Sequence, residues 1–382
     1  MGPIALSAIV IFSGLASIIC LIVAYYTYET IRQAFSVANK PHEYSSLITH
    51  LDEKSVATLP GREEIGISEL PIIGFTGRNG SVLAGGKVTR HESGIITRDV
   101  LSTFGTVQEG DQVYTDLFVY QRDPNTAFGT NFENIRFESE LGNLDAWIIP
   151  RCSSRWVIFV HGHRSSRRES LRYSRIFSRL NISQMMITYR NDVGVERDTS
   201  GYHMFGLTEW RDLESAIEYV KSRGASTVIL FGHSMGGAVV FKYLLATESN
   251  DLARYAILES PALDLNRIIL NQARKLPFPA TLALGPVKKL VSYLTGVRWE
   301  ELNYVLKTSE LQDNVLLIHS ESDTIVPIEI SDDLANHSPH RITYIRLKDG
   351  PHAGLWNLHR TQVERGITAF LESNILGITE QP

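Results

Sequence analysis

The chain has 382 residues, of which 43% are hydrophobic and 21% charged, and its formal net charge is −5. That balance excludes a wholly disordered or collagen-like chain and disfavours a dedicated nucleic-acid binder, which carries excess positive charge. Cys20 and Cys152 are the two cysteines, too few for a disulfide scaffold or a cysteine-rich zinc module.

No charged side chain occurs from Met1 to Tyr28, and Ile4–Tyr28 is a nearly continuous apolar run. A helix rises ~1.5 Å per residue, so ~20 such residues cross a hydrocarbon core. Residues 1–28 therefore read as a single-pass membrane anchor, with Tyr25, Tyr26 and Tyr28 at headgroup level. A cleaved signal peptide has a basic start and an apolar core of only ~7–15 residues. The stretch Ser36-Val37-Ala38 is a weak cleavage site. A buried core helix rarely stays apolar on every face for this length. Arg32 and Lys40 follow the run, which favours a cytoplasmic catalytic domain under the positive-inside rule. Membrane lipid is thus an expected partner.

Residues 29–70 are mixed and polar, interrupted by Pro41, Pro60 and Gly61, and read as a juxtamembrane linker. Over 71–133, short apolar alternations are separated by Arg78-Asn79-Gly80, Gly85-Gly86 and Glu109-Gly110-Asp111. This is the pattern of a small β-rich addition, with Val113–Tyr120 as one strand. From 134 to 376 the pattern changes. A hairpin around Gly142-Asn143 leads into apolar strands at Trp156–Val160, Met185–Tyr189, Val228–Phe231, Tyr255–Leu258, Val315–Ile318 and Ile342–Ile345. Helical segments separate them; Leu207, Trp210, Leu213, Ile217 and Val220 share one helical face. Runs such as VIFV and VILF suit a sheet buried on both faces, so an α/β fold with a doubly wound, mostly parallel sheet is expected.

After the strand VILF comes Gly232-His233-Ser234-Met235-Gly236-Gly237, then a helix beginning Ala238-Val239-Val240. This is G-x-S-x-G between strand and helix, the tight turn that lifts a serine hydroxyl out of a sheet. A bare match is weak; in this context it marks Ser234 as a nucleophile. A serine hydroxyl needs a base beside it, and in this arrangement the acid and histidine follow the serine along the chain. The strand VLLIHS runs into Glu321-Ser322-Asp323, and the next strand runs into Gly350-Pro351-His352. Asp323 is expected to orient His352, and His352 to take the Ser234 proton. The rivals are Glu321 for the acid and His319, His337, His340 and His359 for the base. An oxyanion hole needs two backbone N–H groups: Met235, after the nucleophile, and His163, in the loop His161-Gly162-His163-Arg164, are the expected donors. His161 and His163 lack a third ligand cluster, so no metal is expected. With neither a G-x-G-x-x-G nor a G-x-x-x-x-G-K-[ST] motif present, no cofactor is expected either.

The ordered set HGH, GHSMGG, SESDTIVP and GPHAG resembles the α/β-hydrolase superfamily. Within it, the set is similar to the serine-hydrolase branch shared by monoglyceride-lipase-like and prolyl-oligopeptidase-like enzymes. Tyr189-Arg190-Asn191-Asp192 and Thr208-Glu209-Trp210-Arg211-Asp212 resemble uncharacterised actinobacterial hydrolases more closely. The resemblance spans roughly residues 134–376 and leaves 1–133 unassigned. It implies Ser234, Asp323 and His352 as the triad, with His163 and Met235 as oxyanion donors, and it implies a helical lid at about 262–312. That segment holds Leu270, Leu276, Phe278, Leu282 and Leu290 among Arg274, Lys275, Lys288 and Lys289. Arg164, Arg168, Arg172, Arg175 and Arg179 fall on one helical face, expected to be solvated or, more pointedly, to meet anionic lipid headgroups.

Three functions compete. The leading one is an anchored serine hydrolase cleaving apolar acyl esters. The second is a peptidase or amidase of the same fold. The third is a non-catalytic binding module, which the complete triad disfavours. Nucleic acid is not an expected partner.

Overall fold

The computed structural model describes residues 3–37, 42–64, 66–247, 252–277 and 279–377. Ala38, Lys40 and Phe278 lie outside them. Helix α1 (Pro3–Thr30) takes up the apolar run and closes in a π-helical turn over Ile31–Phe35. The stretch Ile11–Phe35 is long and apolar enough to cross a membrane. Residues 11–21 are exposed all round. Beyond them one stripe turns inward: Val23, Thr27, Ile31 and Ala34, at the four- and three-residue spacing of one helical face. Phe35 is fully buried, edge-on to Phe205 and Trp299 at 6.0 and 5.8 Å.

The stretch 29–70 is not merely a linker. Strands β1 (Ser46–Leu51) and β2 (Ser55–Leu59) lie inside it. They join β3 (Ile73–Thr76), β4 (Gly80–Arg90), β5 (Ile96–Gly105) and β6 (Gln112–Asp116) in a closed antiparallel barrel of order β1-β2-β5-β4-β3-β6. Closure leaves no free sheet edge. Ile48, Val56, Ile73, Phe75, Val82 and Val113 fill the barrel core. Strand β6 stops at Asp116 rather than Tyr120. There the Asp116 carboxylate accepts the Phe118 N–H at 2.9 Å, and Val119 takes a left-handed conformation that no strand can continue through.

A short helix α2 (Pro124–Phe128), N-capped by Asp123, leads to the main sheet. In chain order this comprises β7 (Glu133–Ser139), β8 (Gly142–Ile149), β9 (Arg155–Val160), α3 (Leu171–Arg179), β10 (Ser183–Ile187), α4 (Trp210–Ser222), β11 (Thr227–His233), α5 (Met235–Ala246) and β12 (Ala253–Glu259). Then come α6 (Leu265–Lys275), α7 (Ala280–Thr295), β13 (Asn314–Ser320), α8 (Glu329–His337), β14 (Ile342–Leu347) and α9 (Leu355–Leu371). The sheet order is β14-β13-β12-β11-β9-β10-β8-β7, parallel from β10 through β14 and antiparallel in β7 and β8. Alternate residues of β9 and β11 feed the two faces. Trp156, Ile158, Val228 and Leu230 pack under α4 and α5, and Val157, Phe159, Ile229 and Phe231 pack under α3 and α9. Leu207 precedes α4 rather than belonging to it.

The arginine face is mostly structural. Arg168 pairs with the buried Asp116 at 2.6 Å and so clasps the barrel to the main sheet and its helices. Arg172 is buried against the Ala353 carbonyl and Asn357 Oδ1. Arg164 donates to the Ser36 carbonyl at 3.0 Å, just beyond the π-helical turn that closes α1. Arg175 lies over the Phe128 ring, and Arg179 pairs with Glu364 at 3.0 Å. An amphipathic pattern shows which residues share a face. It does not show whether solvent or another element covers that face.

Candidate active site

Strand β11 ends at His233, and the chain turns into α5 through Ser234 at φ 53°, ψ −115°. A non-glycine residue in such a region costs ~1–3 kcal/mol and persists where its surroundings over-determine it. Here the Ser234 N–H donates to the Glu259 carbonyl at 2.9 Å, and the Ser234 carbonyl accepts from the Gly237 and Ala262 N–H groups at 3.0 Å each. Gly236 is obligatory, because a Cβ there would run into the Val160 carbonyl oxygen. The turn presents the hydroxyl at the carboxyl end of the sheet, where open α/β folds bind their ligands.

Strands β13 and β14 deliver the other two groups to the same edge. His352 Nε2 lies 2.9 Å from Ser234 Oγ, and His352 Nδ1 lies 2.7 Å from Asp323 Oδ2. The two loops are tied together by the Gly350 N–H donating to Ser322 Oγ at 3.1 Å. Asp323 Oδ1 accepts the Ile325 and Val326 N–H groups at 2.8 and 2.9 Å. Its Oδ2 is also 3.2 Å from His319 Nε2. Burial alone would raise the Asp323 carboxyl; the hydrogen bonds and charge of His319 and His352 outweigh it and hold the group far below the usual carboxylate range. Glu321, the rival acid, turns outward to Arg346.

A second buried pair lies under the turn. His233 Nδ1 is 3.1 Å from Glu259 Oε2, and Tyr173 Oη donates to Glu259 Oε1 at 2.6 Å. Burial would raise the Glu259 carboxyl, but His233, Arg172 and Tyr173 hold it down at about 2. Burial would lower the His233 imidazole, and the charges of Glu169 and Glu259 reverse this and raise it.

The Met235 N–H is the first of α5, among the groups a helix leaves without an internal partner. The β9 loop approaches from the other side, so close that a Cβ on Gly162 would sit 3.4 Å from Ser234 Cβ. The ring of His163 lines the pocket, stacked 5.8 Å from Phe205, and burial followed by the charge of Arg164 pushes it down to about 4. It is neutral at pH 7. His161 turns the other way, with Nε2 2.9 Å from Asp192 Oδ2. Arg190 and Asp212, from the two remaining motifs, form a buried pair at 2.8 Å that holds the β10 loop to α4.

Over Ser234 opens a cavity of about 330 Å³, within the ~300–1,000 Å³ range of ligand sites. Its walls are apolar: Phe205, Leu265 and Ile268, then Leu284 and Val287 of α7, and Val326. The α6–α7 hairpin forms its roof. The last turns of α1 form the remaining side, through Tyr26, Glu29, Thr30, Gln33 and Ala34.

Residues 152–304 match the family model described as serine aminopeptidase, S33. The Pyrococcus furiosus esterase Pf2001 superposes with a TM-score of 0.54 at 18% identity, covering 67% of this chain and 97% of that one. The chain is an α/β hydrolase by fold. A Pyrococcus horikoshii acylaminoacyl peptidase superposes on this chain with a TM-score of 0.52 at 16% identity, over 81% of this chain and 50% of its own. The uncharacterized Escherichia coli protein YfhR is 24% identical over 249 residues, 63% of this chain and 78% of its own.

Sequence reasoning missed three parts of the site. His319 touches Asp323 instead of competing with His352; its place four residues before the acid was the available signal. Glu259, closing β12, carried none beyond being a charge at the end of an apolar strand. The α1 wall was hidden because lipid and protein interior select the same apolar residues.

Proposed function

We propose that the protein is a membrane-anchored serine hydrolase that cleaves carboxylic esters of apolar acyl groups through an acyl-enzyme. The observation that carries this reading is the hydrogen-bonded chain Ser234–His352–Asp323 at the floor of an apolar pocket. Ser234 Oγ attacks the ester carbonyl as His352 Nε2 takes its proton. Met235 and His163 N–H groups stabilise the oxyanion. The alcohol leaves with the proton from His352, and water then releases the acid by the same steps in reverse roles. Asp323 keeps Nδ1 protonated and stabilises the imidazolium. Helix α1 spans the bilayer, and Arg32 and Lys40 on its C-terminal side favour a cytoplasmic domain.

The S33 match supports a second reading, a peptidase. An aminopeptidase needs a free carboxylate for the substrate amine. The acidic residue lining this pocket is Glu29, which is engaged by Arg32 at 2.5 Å and Gln33 at 2.7 Å, so the ester reading is preferred.

The test uses the full chain in detergent micelles. A fluorophosphonate probe should label wild type and not Ser234→Ala, and p-nitrophenyl esters should turn over faster than aminoacyl p-nitroanilides. Faster anilide turnover selects the peptidase. Folded wild type that neither labels nor turns over either substrate removes the enzyme reading.

A further inference from the structure

We infer that the end of the anchor helix is a wall of the acyl pocket, and that the substrate is a bilayer lipid ester drawn in between α1 and the α6–α7 hairpin. This rests on Ser234 as nucleophile and on α1 as a membrane span.

Tyr26, Thr30 and Ala34 line the same cavity as Ser234 and His352. The eight helical steps from Tyr26 to Ala34 make a wall ~12 Å long. The opposite side is Ile268 of α6 with Leu284 and Val287 of α7. The wall is fixed, not tethered. Phe35 is fully buried, the His203 N–H donates to the Phe35 carbonyl at 2.9 Å, and Arg164 holds the Ser36 carbonyl at 3.0 Å. On the other side Tyr26 Oη donates to the Pro277 carbonyl at 3.0 Å, joining the helix to the connection between α6 and α7.

Helix length sets the height of this wall. From Pro3 to Leu21 the helix runs roughly 28 Å, against ~30 Å of hydrocarbon. The inward stripe begins just beyond it, and Tyr25 and Tyr28 are exposed at the level where aromatic rings favour headgroups. The pocket therefore begins where the bilayer ends. Its rim is apolar and exposed: Leu276 at 46% and Ile325 at 43% both line the cavity. Arg274 and Lys275 adjoin Leu276, placed for anionic headgroups. An acyl chain can move from lipid into the pocket without crossing water, its carbonyl reaching Ser234 last.

The test reconstitutes the full chain in phosphatidylcholine–phosphatidylglycerol liposomes. The first readout is the ratio of dodecanoyl to acetyl p-nitrophenyl ester turnover, which cancels differences in active fraction. Ala34→Trp and Thr30→Trp, made separately, should each lower this ratio at least ~10-fold relative to wild type, as filling an acyl pocket does. An unchanged ratio in both overturns the wall. The second readout offers a fluorogenic long-chain diacyl ester either in the protein's own vesicles or in separate ones. Cleavage confined to the shared bilayer is expected; equal cleavage from separate vesicles overturns lateral capture. The third gives Ser234→Ala a dodecanoyl ester with a terminal diazirine and maps the adducts. Adducts within 22–34 are expected alongside those on the other pocket walls, and adducts confined to the other walls, with none within 22–34, refute the α1 wall. The third readout needs no turnover. Failure of the nucleophile assignment, seen as absent fluorophosphonate labelling, is thus separated from failure of the wall.

Discussion

Replacing Asp323 by asparagine tests the site most sharply, because the surroundings dictate how the amide must sit. Asp323 Oδ1 accepts two backbone N–H groups, from Ile325 and Val326. An amide nitrogen there would face two donors, so the substituted side chain must keep its oxygen at δ1 and place its NH₂ at δ2. That NH₂ then points at His352 Nδ1 and His319 Nε2. His352 is forced into the tautomer with hydrogen on Nε2, facing Ser234 Oγ as a donor, and cannot take the serine proton. The geometry is otherwise kept. A wrong-tautomer substitution of this kind costs ~10⁴ in kcat, and that is about 5.5 kcal/mol of barrier. The assay is p-nitrophenyl butyrate turnover by the full chain in micelles, with the fluorophosphonate labelling rate alongside and a thermal melt to certify folding. A well-folded Asp323→Asn protein retaining more than a tenth of wild-type turnover would refute both the tautomer argument and Asp323 as the orienting acid.

Three further outcomes follow from buried groups. Glu259 at about 2 lies below its ordinary 4.5, so its contribution to stability is present above pH ~4.5 and is lost as pH falls toward 2. His233 is raised above its ordinary 6.5, so its contribution is present below that and fades as pH rises through its folded value. Glu259→Gln should therefore lower Tm most between these limits and flatten the Tm-versus-pH curve; a parallel downward shift at every pH contradicts the pairing. Arg168→Met leaves the buried Asp116 carboxylate uncompensated and should cost ~3–5 kcal/mol in thermal unfolding, partly recovered by adding Asp116→Asn; a loss under ~1 kcal/mol means the barrel is not clasped there. Gly236→Ala pushes the nucleophile turn off the Val160 carbonyl and should slow fluorophosphonate labelling at least ~100-fold, since displacements of ~1 Å have that effect; near-normal labelling would show that the turn can relax.

The strands of the main sheet were legible because both of their faces are buried: VIFV, VILF and VLLI stand out from any context. The meeting of Ser234, Asp323 and His352 was legible because each follows a strand of the main sheet, and the ends of β11, β13 and β14 are sharp in the sequence. The barrel was half legible. Strands β1 and β2 are short, expose Leu47 and Leu59 while burying Ser46 and Thr58, and adjoin a polar stretch, so the usual apolar-in, polar-out alternation does not separate Ser46–Leu59 from a linker. Arg175 and Arg179 are exposed as expected, but Arg164, Arg168 and Arg172 depart from a solvated face, for a different reason. Arg172 is buried and Arg168 half-buried because the Ala353 carbonyl and Asp116, distant in sequence, arrive to accept from the one and neutralise the other. A lone sequence shows the donor and not the acceptor that makes its burial tolerable.

Helix α1 carries that point furthest. Apolarity records that a residue avoids water and does not record which other medium it meets. Along α1 the medium changes within one continuous helix. From Ile11 through Leu21 every face is exposed, and beyond it Val23, Thr27, Ile31 and Ala34 face protein. A stripe facing lipid alone has no reason to carry Thr27 and Ala34 on the same side as Val23 and Ile31. A stripe packed against α7 does, because small side chains let two helix backbones approach. The polar residues that end the apolar run, Glu29, Arg32 and Gln33, bond to one another on the helix, so they satisfy their charges without drawing water into the cavity beside Ala34. A chain shortened to begin at residue 40 would retain the three groups that meet at Ser234 and lose one side of the cavity above them. Its acyl selectivity, rather than its capacity to label, is what the missing helix would alter.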